Sequence, residues 1–154
     1  MIKKLTLIAL GIALAVAIVY VALSVYSRRA PQLGTIDGRL RPCPNTPNCV
    51  CSDTADAGVA PLRFAGNAEA AWTQLADVLA AAGGHIVLQT PDYLHATFET
   101  RYLRFVDDFE ARLDQAAGVI HVRSASRVGY GDGGVNRDRV RQIRASYDAL
   151  HGTN

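Results

Sequence analysis

Hydrophobic and polar positions follow three regimes along the chain. Residues 5–26 are apolar and carry no charged side chain. No face of that run is polar, so it does not read as a helix of a soluble core. At about 1.5 Å per residue it spans roughly 33 Å, the hydrocarbon thickness of a bilayer. Residues 27–60 hold Pro31, Pro42, Pro44 and Pro47, several glycines and little periodicity, and read as a linker. A short strand is expected at 61–64. A helix is expected over 67–82: Asn67 suits the N-cap, Glu69 the first turn, and Gly83-Gly84 the end. Trp72, Leu75, Ala76 and Leu79 fall on its one apolar face.

Strand patterns follow. Residues 85–90 form a short apolar run. Over 93–101, Leu94, Ala96 and Phe98 alternate with Tyr93, His95, Thr97 and Glu99. Over 104–113, Phe105, Phe109, Ala111 and Leu113 oppose Val106, Asp108, Glu110 and Arg112. Over 119–128, Ile120, Val122 and Val128 oppose His121, Arg123 and Arg127. Short connections favour an antiparallel meander. A last helix is expected over 136–150, with Asn136 as cap, Val135 and Val140 as a hydrophobic staple, and Val140, Ile143, Tyr147 and Leu150 on the buried face. The sum is an α+β chain. A transmembrane helix precedes a small domain, 61–150, of two helices on one face of a four- or five-stranded antiparallel sheet. Residues 1–4 and 151–154 are tails.

Charge refines this picture. The formal charge is +2. Setting aside Lys3, Lys4, Arg28 and Arg29, which flank the span, leaves 12 basic against 14 acidic residues, about −2. That balance disfavours a nucleic-acid partner. Flanking charge alone favours a cytoplasmic domain, because Arg28, Arg29, Arg39 and Arg41 follow the span. A short tail ahead of a long domain favours the reverse, and an exported domain on a signal anchor is the expectation. A cleaved signal peptide is the rival reading. The long apolar run and the Ser-Arg-Arg after it argue against cleavage, and no cysteine follows it for lipidation.

The cysteines lean the same way. Cys43, Cys49 and Cys51 are clustered in a Pro- and Asn-rich turn, where a Cys43–Cys49 disulfide would close a small loop in an oxidising compartment. Cys51 is then left buried or exchanging with Cys49. A zinc site is a weaker alternative, since C-x5-C-x-C is an uncommon ligand spacing.

Three features carry candidate chemistry. The second sheet face bears His95, Glu99, Asp108, Glu110, Arg112, His121, Arg123 and Arg127. The plain expectation is a solvated face laced with cross-strand ion pairs; the sharper one is a polar groove. Asp107 sits between Phe105 and Phe109 on the core face, where a carboxylate needs a partner. Ser124 and Ser126 share that face, and an arginine such as Arg104 is within reach. Lastly, the loop from Gly129 to Gly134 leads into a basic helix start, where free N–H groups and Arg127, Arg137 and Arg139 suit an anion. The loop lacks the Walker lysine and the dinucleotide-binding spacing. Asp132 argues against a dedicated cradle, and the alternative is a turn whose arginines stay solvated or pair with Asp132 and Asp138. No G-x-S-x-G elbow or H-E-x-x-H is present.

Three separated motifs resemble the domain of unknown function (DUF) family 1499. They are P-C-P-N-T-P-N-C at 42–49, Arg104-Phe105-Val106-Asp107-Asp108, and H-V-R-S-A-S-R-V-G-Y-G-D-G-G-V-N at 121–136. The resemblance covers about residues 40–150. It implies a membrane or export segment ahead of a small α+β domain, and brings no activity, cofactor or catalytic set with it. It places the Cys43 and Cys49 pair but has Ser where Cys51 stands. Gly133 replaces a larger apolar residue, which implies a more mobile loop. Its motifs fall on Arg104, Asp107, Asp108, Arg123, Ser124, Ser126, Arg127, Asn136 and Arg137, which form the candidate ligand site.

The leading expectation is a single-pass, membrane-anchored binding or accessory domain of the cell envelope, extracytoplasmic, for an anionic small molecule or an acidic protein surface. No cofactor or metal is expected. One alternative is a hydrolase or transferase with Asp107 or Asp108 as acid or base and Arg123 or Arg127 on an oxyanion. Another is a thiol-active protein working through Cys49 and Cys51.

Overall fold

The computed structural model describes residues 2–54 and 58–151. The apolar run forms α1, Ile2–Ser27, long and apolar enough to cross a membrane. Its hydrophobic side chains face outward, as a helix surrounded by lipid requires. Two short hairpin strands follow, β1 Thr35–Ile36 and β2 Arg39–Leu40, and then β3 Cys49–Cys51 and β4 Leu62–Arg63. Helix α2, Ala68–Ala81, begins where Asn67 accepts the Ala70 N–H at 2.9 Å. It ends as the Gly83 backbone turns to φ +87° and Gly84 N–H reaches back to Leu79 O. The meander β5 His85–Gln89, β6 Tyr93–Glu99, β7 Val106–Asp114 and β8 Val119–Ser126 leads into α3, Val135–His151.

The sheet is antiparallel throughout, in the order β3-β8-β7-β6-β5, with β4 also paired to β8. It therefore has six strands rather than four or five. The additional one is β3, a Cys-Val-Cys triplet too short to alternate. Both helices pack on one face, as the apolar stripes require. Trp72, Leu75 and Leu79 of α2 and Val140, Ile143 and Tyr147 of α3 bury against Leu94, Phe98, Phe109, Ile120 and Val122. The Trp72 indole N–H is satisfied by Thr90 O at 2.8 Å.

The second face corrects the expectation of a solvated surface. Asp108, Glu110 and Arg123 are buried, Glu110 completely. The segment read as a linker covers them. Over its described residues it runs across the sheet, burying Ser27, Leu40 and Cys51. The Gly34 N–H bonds Glu110 at 2.8 Å, and the Leu40 N–H bonds Asp53 at 2.9 Å. Such a cover leaves no hydrophobic period in the sequence, because polar groups of the sheet hold it. The start of α3 is also corrected. Asn136 is not its cap but lies inside the helix, and Asp132 takes the Gly134 and Asn136 N–H groups, each at 2.9 Å. Val135 stays exposed while Val140 is buried, so the two form no staple.

Candidate functional site

Adjacent residues of one strand point to opposite faces. Asp107 and Asp108 therefore belong to two clusters separated by the sheet, and Ser126 and Arg127 divide in the same way.

On the helix face, Arg139 of α3 donates to Asp107 Oδ2 at 2.7 Å and lies over the Phe98 ring at 4.7 Å. Arg139, not Arg104, is thus the partner of Asp107. Arg104 stays on the surface and pairs with Glu99 at 2.7 Å. Asn136 is the hub of this cluster. Its Oδ1 accepts from Ser124 Oγ and Arg139 Nη1, both at 2.6 Å, and its Nδ2 donates to Ser126 Oγ, Asp132 Oδ2 and Asn48 O.

On the other face, Arg127 grips Asp108 with Nε and Nη2, at 2.8 and 2.6 Å, and His95 Nε2 lies 2.8 Å from Asp108 Oδ1. Burial pushes the Asp108 carboxyl up, but the Arg127 and His95 bonds outweigh it and hold it below the usual carboxylate range. Glu110 receives Arg123 Nη1 at 2.8 Å, the Tyr93 hydroxyl at 2.7 Å and the Gly34 N–H. Burial and the neighbouring Glu110 drive the Tyr93 phenol far up. Farther along, Arg112 binds both oxygens of Asp53, at 2.9 and 3.0 Å, and His121 sits 3.5 Å from the same carboxylate. Burial raises the Asp53 carboxyl, and the Arg112 and Leu40 N–H bonds bring it below its usual value.

Arg127 has a second task. Its Nη1 donates to the carbonyls of Ser27 and Arg28 at 3.1 and 3.2 Å, at the open end of α1. The Val106 N–H donates to Ser27 Oγ at 3.1 Å, and Tyr20 packs on Phe105 with ring centroids 6.4 Å apart. The last two turns of the apolar helix are therefore bolted to the start of β7 and the end of β8.

The glycine loop holds no vacant anion cradle. Asp132 occupies the helix N-terminus, and its bonds to the Asn136 and Gly134 N–H groups hold its carboxyl low despite burial. Arg137 turns instead to Gly58 O at 2.6 Å. Of the nine candidate residues, the fold gathers Asp107, Ser124, Ser126 and Asn136 on one face and Asp108, Arg123 and Arg127 on the other. Arg104 and Arg137 lie outside both clusters. Asn48, Asp53 and Arg139 in its structural role were not singled out from the sequence. For Asn48 the one signal is its place in the 42–49 motif.

Cys43 and Cys49 are joined in a disulfide, as expected, and so cannot serve as zinc ligands. Cys51 is buried and burial pushes its thiol up, which makes it a poor nucleophile. A recess of about 330 Å³ lies between α1 and the glycine loop, with Asp107 on its wall. A wider one of about 860 Å³ opens beside the start of α2, away from both clusters.

No curated protein matches the chain. The model of a family described as a protein of unknown function (DUF1499) matches residues 39–146, well over half of the sequence and most of the folded part, and the chain belongs to that family.

Proposed function

We propose that this chain is a binding or accessory domain of the cell envelope, held against the bilayer surface by α1, with the anionic headgroup layer as its anionic ligand. One observation carries the reading. The turn between β6 and β7 is fixed alongside the last turns of α1, and there it exposes Arg101, Tyr102, Leu103 and Arg104. Arg28 and Arg29 are exposed just past the end of α1, about one turn beyond the Ser24 contact with that turn. Aromatic, aliphatic and arginine side chains together suit a membrane–water interface. The inward arginines do not favour a soluble anion, because Arg123, Arg127 and Arg139 are already bound to carboxylates. The same pairing disfavours Asp107 and Asp108 as acid and base, and the burial of Cys51 disfavours thiol exchange. The Cys43–Cys49 disulfide supports an extracytoplasmic domain.

The test uses the full chain in phospholipid vesicles. A fluorophore is placed at Tyr102→Cys or, as control, at Gln115→Cys in the turn at the far end of β7, about 30 Å away along the strand. Quenchers on the lipid headgroups should dim the label at 102 and spare the one at 115. Equal quenching at both positions, or none at 102, overturns the reading.

A further inference from the structure

We propose that the recess between α1 and the glycine loop takes one acyl chain of a membrane phospholipid; this rests on the domain lying against the bilayer. Its walls are mostly apolar and come from both sides of the junction. Tyr20 and Leu23 belong to α1, Phe105 to the turn, and Val128, Gly131 and Val135 to the loop and the start of α3. A volume of about 330 Å³ is within the range of small-ligand pockets.

Position identifies the occupant. Tyr20 and Leu23 lie three to six residues before Tyr26, the end of the apolar run. At 1.5 Å per residue the mouth opens about 5–9 Å inside the end of the span, at the depth of acyl chains rather than of phosphates. Charge agrees with depth. The two charged residues on the wall are Asp107 and Asp132, both acidic. An anionic headgroup would be repelled there. An alkyl chain would not, because both carboxylates are already bonded, Asp107 to Arg139 and Asp132 to the N-terminus of α3. Ser126 Oγ likewise accepts from Asn136. Thr100 Oγ1 accepts from the Phe105 N–H, so each polar side chain on the wall keeps a protein partner when water is displaced. The exposed Tyr130 stands in the loop that forms one side, suited to the interface above the chain.

The experiment reconstitutes the full chain in vesicles containing a phospholipid with a photoactivatable group midway along one acyl chain. After illumination and digestion, mass spectrometry maps the adducts. Adducts are expected on Phe105 and within 128–135 as well as on α1. Gly131→Leu should narrow the recess, since its φ lies outside the left-handed region and a Cβ there meets only Pro47, at 3.8 Å. Val135→Trp is a second filling variant. Both should lose the domain adducts and keep those on α1, with the label at 102 still quenched by headgroup quenchers. Domain adducts absent from the unaltered chain, or unchanged in both variants, overturn the acyl-chain site while a quenched label leaves the surface docking standing. An unquenched label at 102 overturns the docking, and the acyl-chain site with it.

Discussion

Arg127 joins two parts of the chain that are a hundred residues apart. Its Nε and Nη2 close on the two oxygens of the buried Asp108, while its Nη1 holds the final carbonyls of α1. A buried pair of this kind is costly to break from one side, because the remaining charge is left in a poor dielectric. Arg127→Ala should cost about 3–5 kcal/mol of stability. Replacing both partners, with Asp108→Leu and Arg127→Met, should recover most of that loss. Denaturant unfolding of the detergent-solubilised chain measures both. A double variant as unstable as the single one would place the loss in the α1 contacts or in the His95 left without its carboxylate.

Asn136 does comparable work on the helix face with a neutral side chain. Asn136→Ala would remove one bond each from Asn48 O, Ser126 Oγ, Ser124 Oγ and Arg139 Nη1 in a buried site, although the Ser126 N–H still reaches Asn48 O and Arg139 still reaches Ser124. The expected cost is about 2–3 kcal/mol, larger than the loss of an ordinary surface cap. Asn136→Asp supplies acceptors but loses the donor and sets a second carboxylate beside Asp132. It should therefore be no better than alanine at neutral pH, as read from the thermal midpoint.

The long strands and α2 are legible because period-two and helical patterns decide which face a residue takes. That ground alone puts Asp107 and Asp108 on opposite faces. What lay across from each face was not legible. Asp107 meets Arg139 because α3 packs over β8 and β3, next to β7 in the sheet, a placement no local pattern encodes. Glu110 and Arg123 face each other in register, whereas His95 and Arg127 both reach Asp108 along diagonals. The cover over the second face reads as a linker in the sequence for a physical reason. Its order comes from bonds such as Gly34 to Glu110 and Leu40 to Asp53, and hydrogen-bonded coil has no hydrophobic period.

The acid response follows from three carboxylates held low in the folded state, Asp53, Asp108 and Asp132. A depressed folded pKa contributes stability that is present above the unfolded value, about 3.9, and is lost as pH falls through the folded one. Stability should therefore be level toward neutrality and fall steeply below about pH 4. Asp132→Asn keeps a capping oxygen but loses one of the two acceptors now in use, so it should lower the neutral plateau by about 1 kcal/mol and flatten the acid slope. Unfolding curves between pH 2 and 7 check both; an unchanged slope would remove Asp132 from the account.

The cysteines give a test of both compartment and chemistry. A disulfide closing the short Cys43–Cys49 loop, separated by six positions, should stabilise the fold by about 2 kcal/mol through the unfolded chain. Cys51 lies under the cover of the sheet, so a bulky maleimide should not reach it in the native protein. Gel-shift counting on chain purified from membranes should then give no label when native, one label after unfolding, and three after unfolding and reduction. Three labels on unfolding without reductant would mean that the domain resides where thiols stay reduced, and the span would run the other way. A label on the native chain would bring Cys51 to the surface and return thiol chemistry as a function.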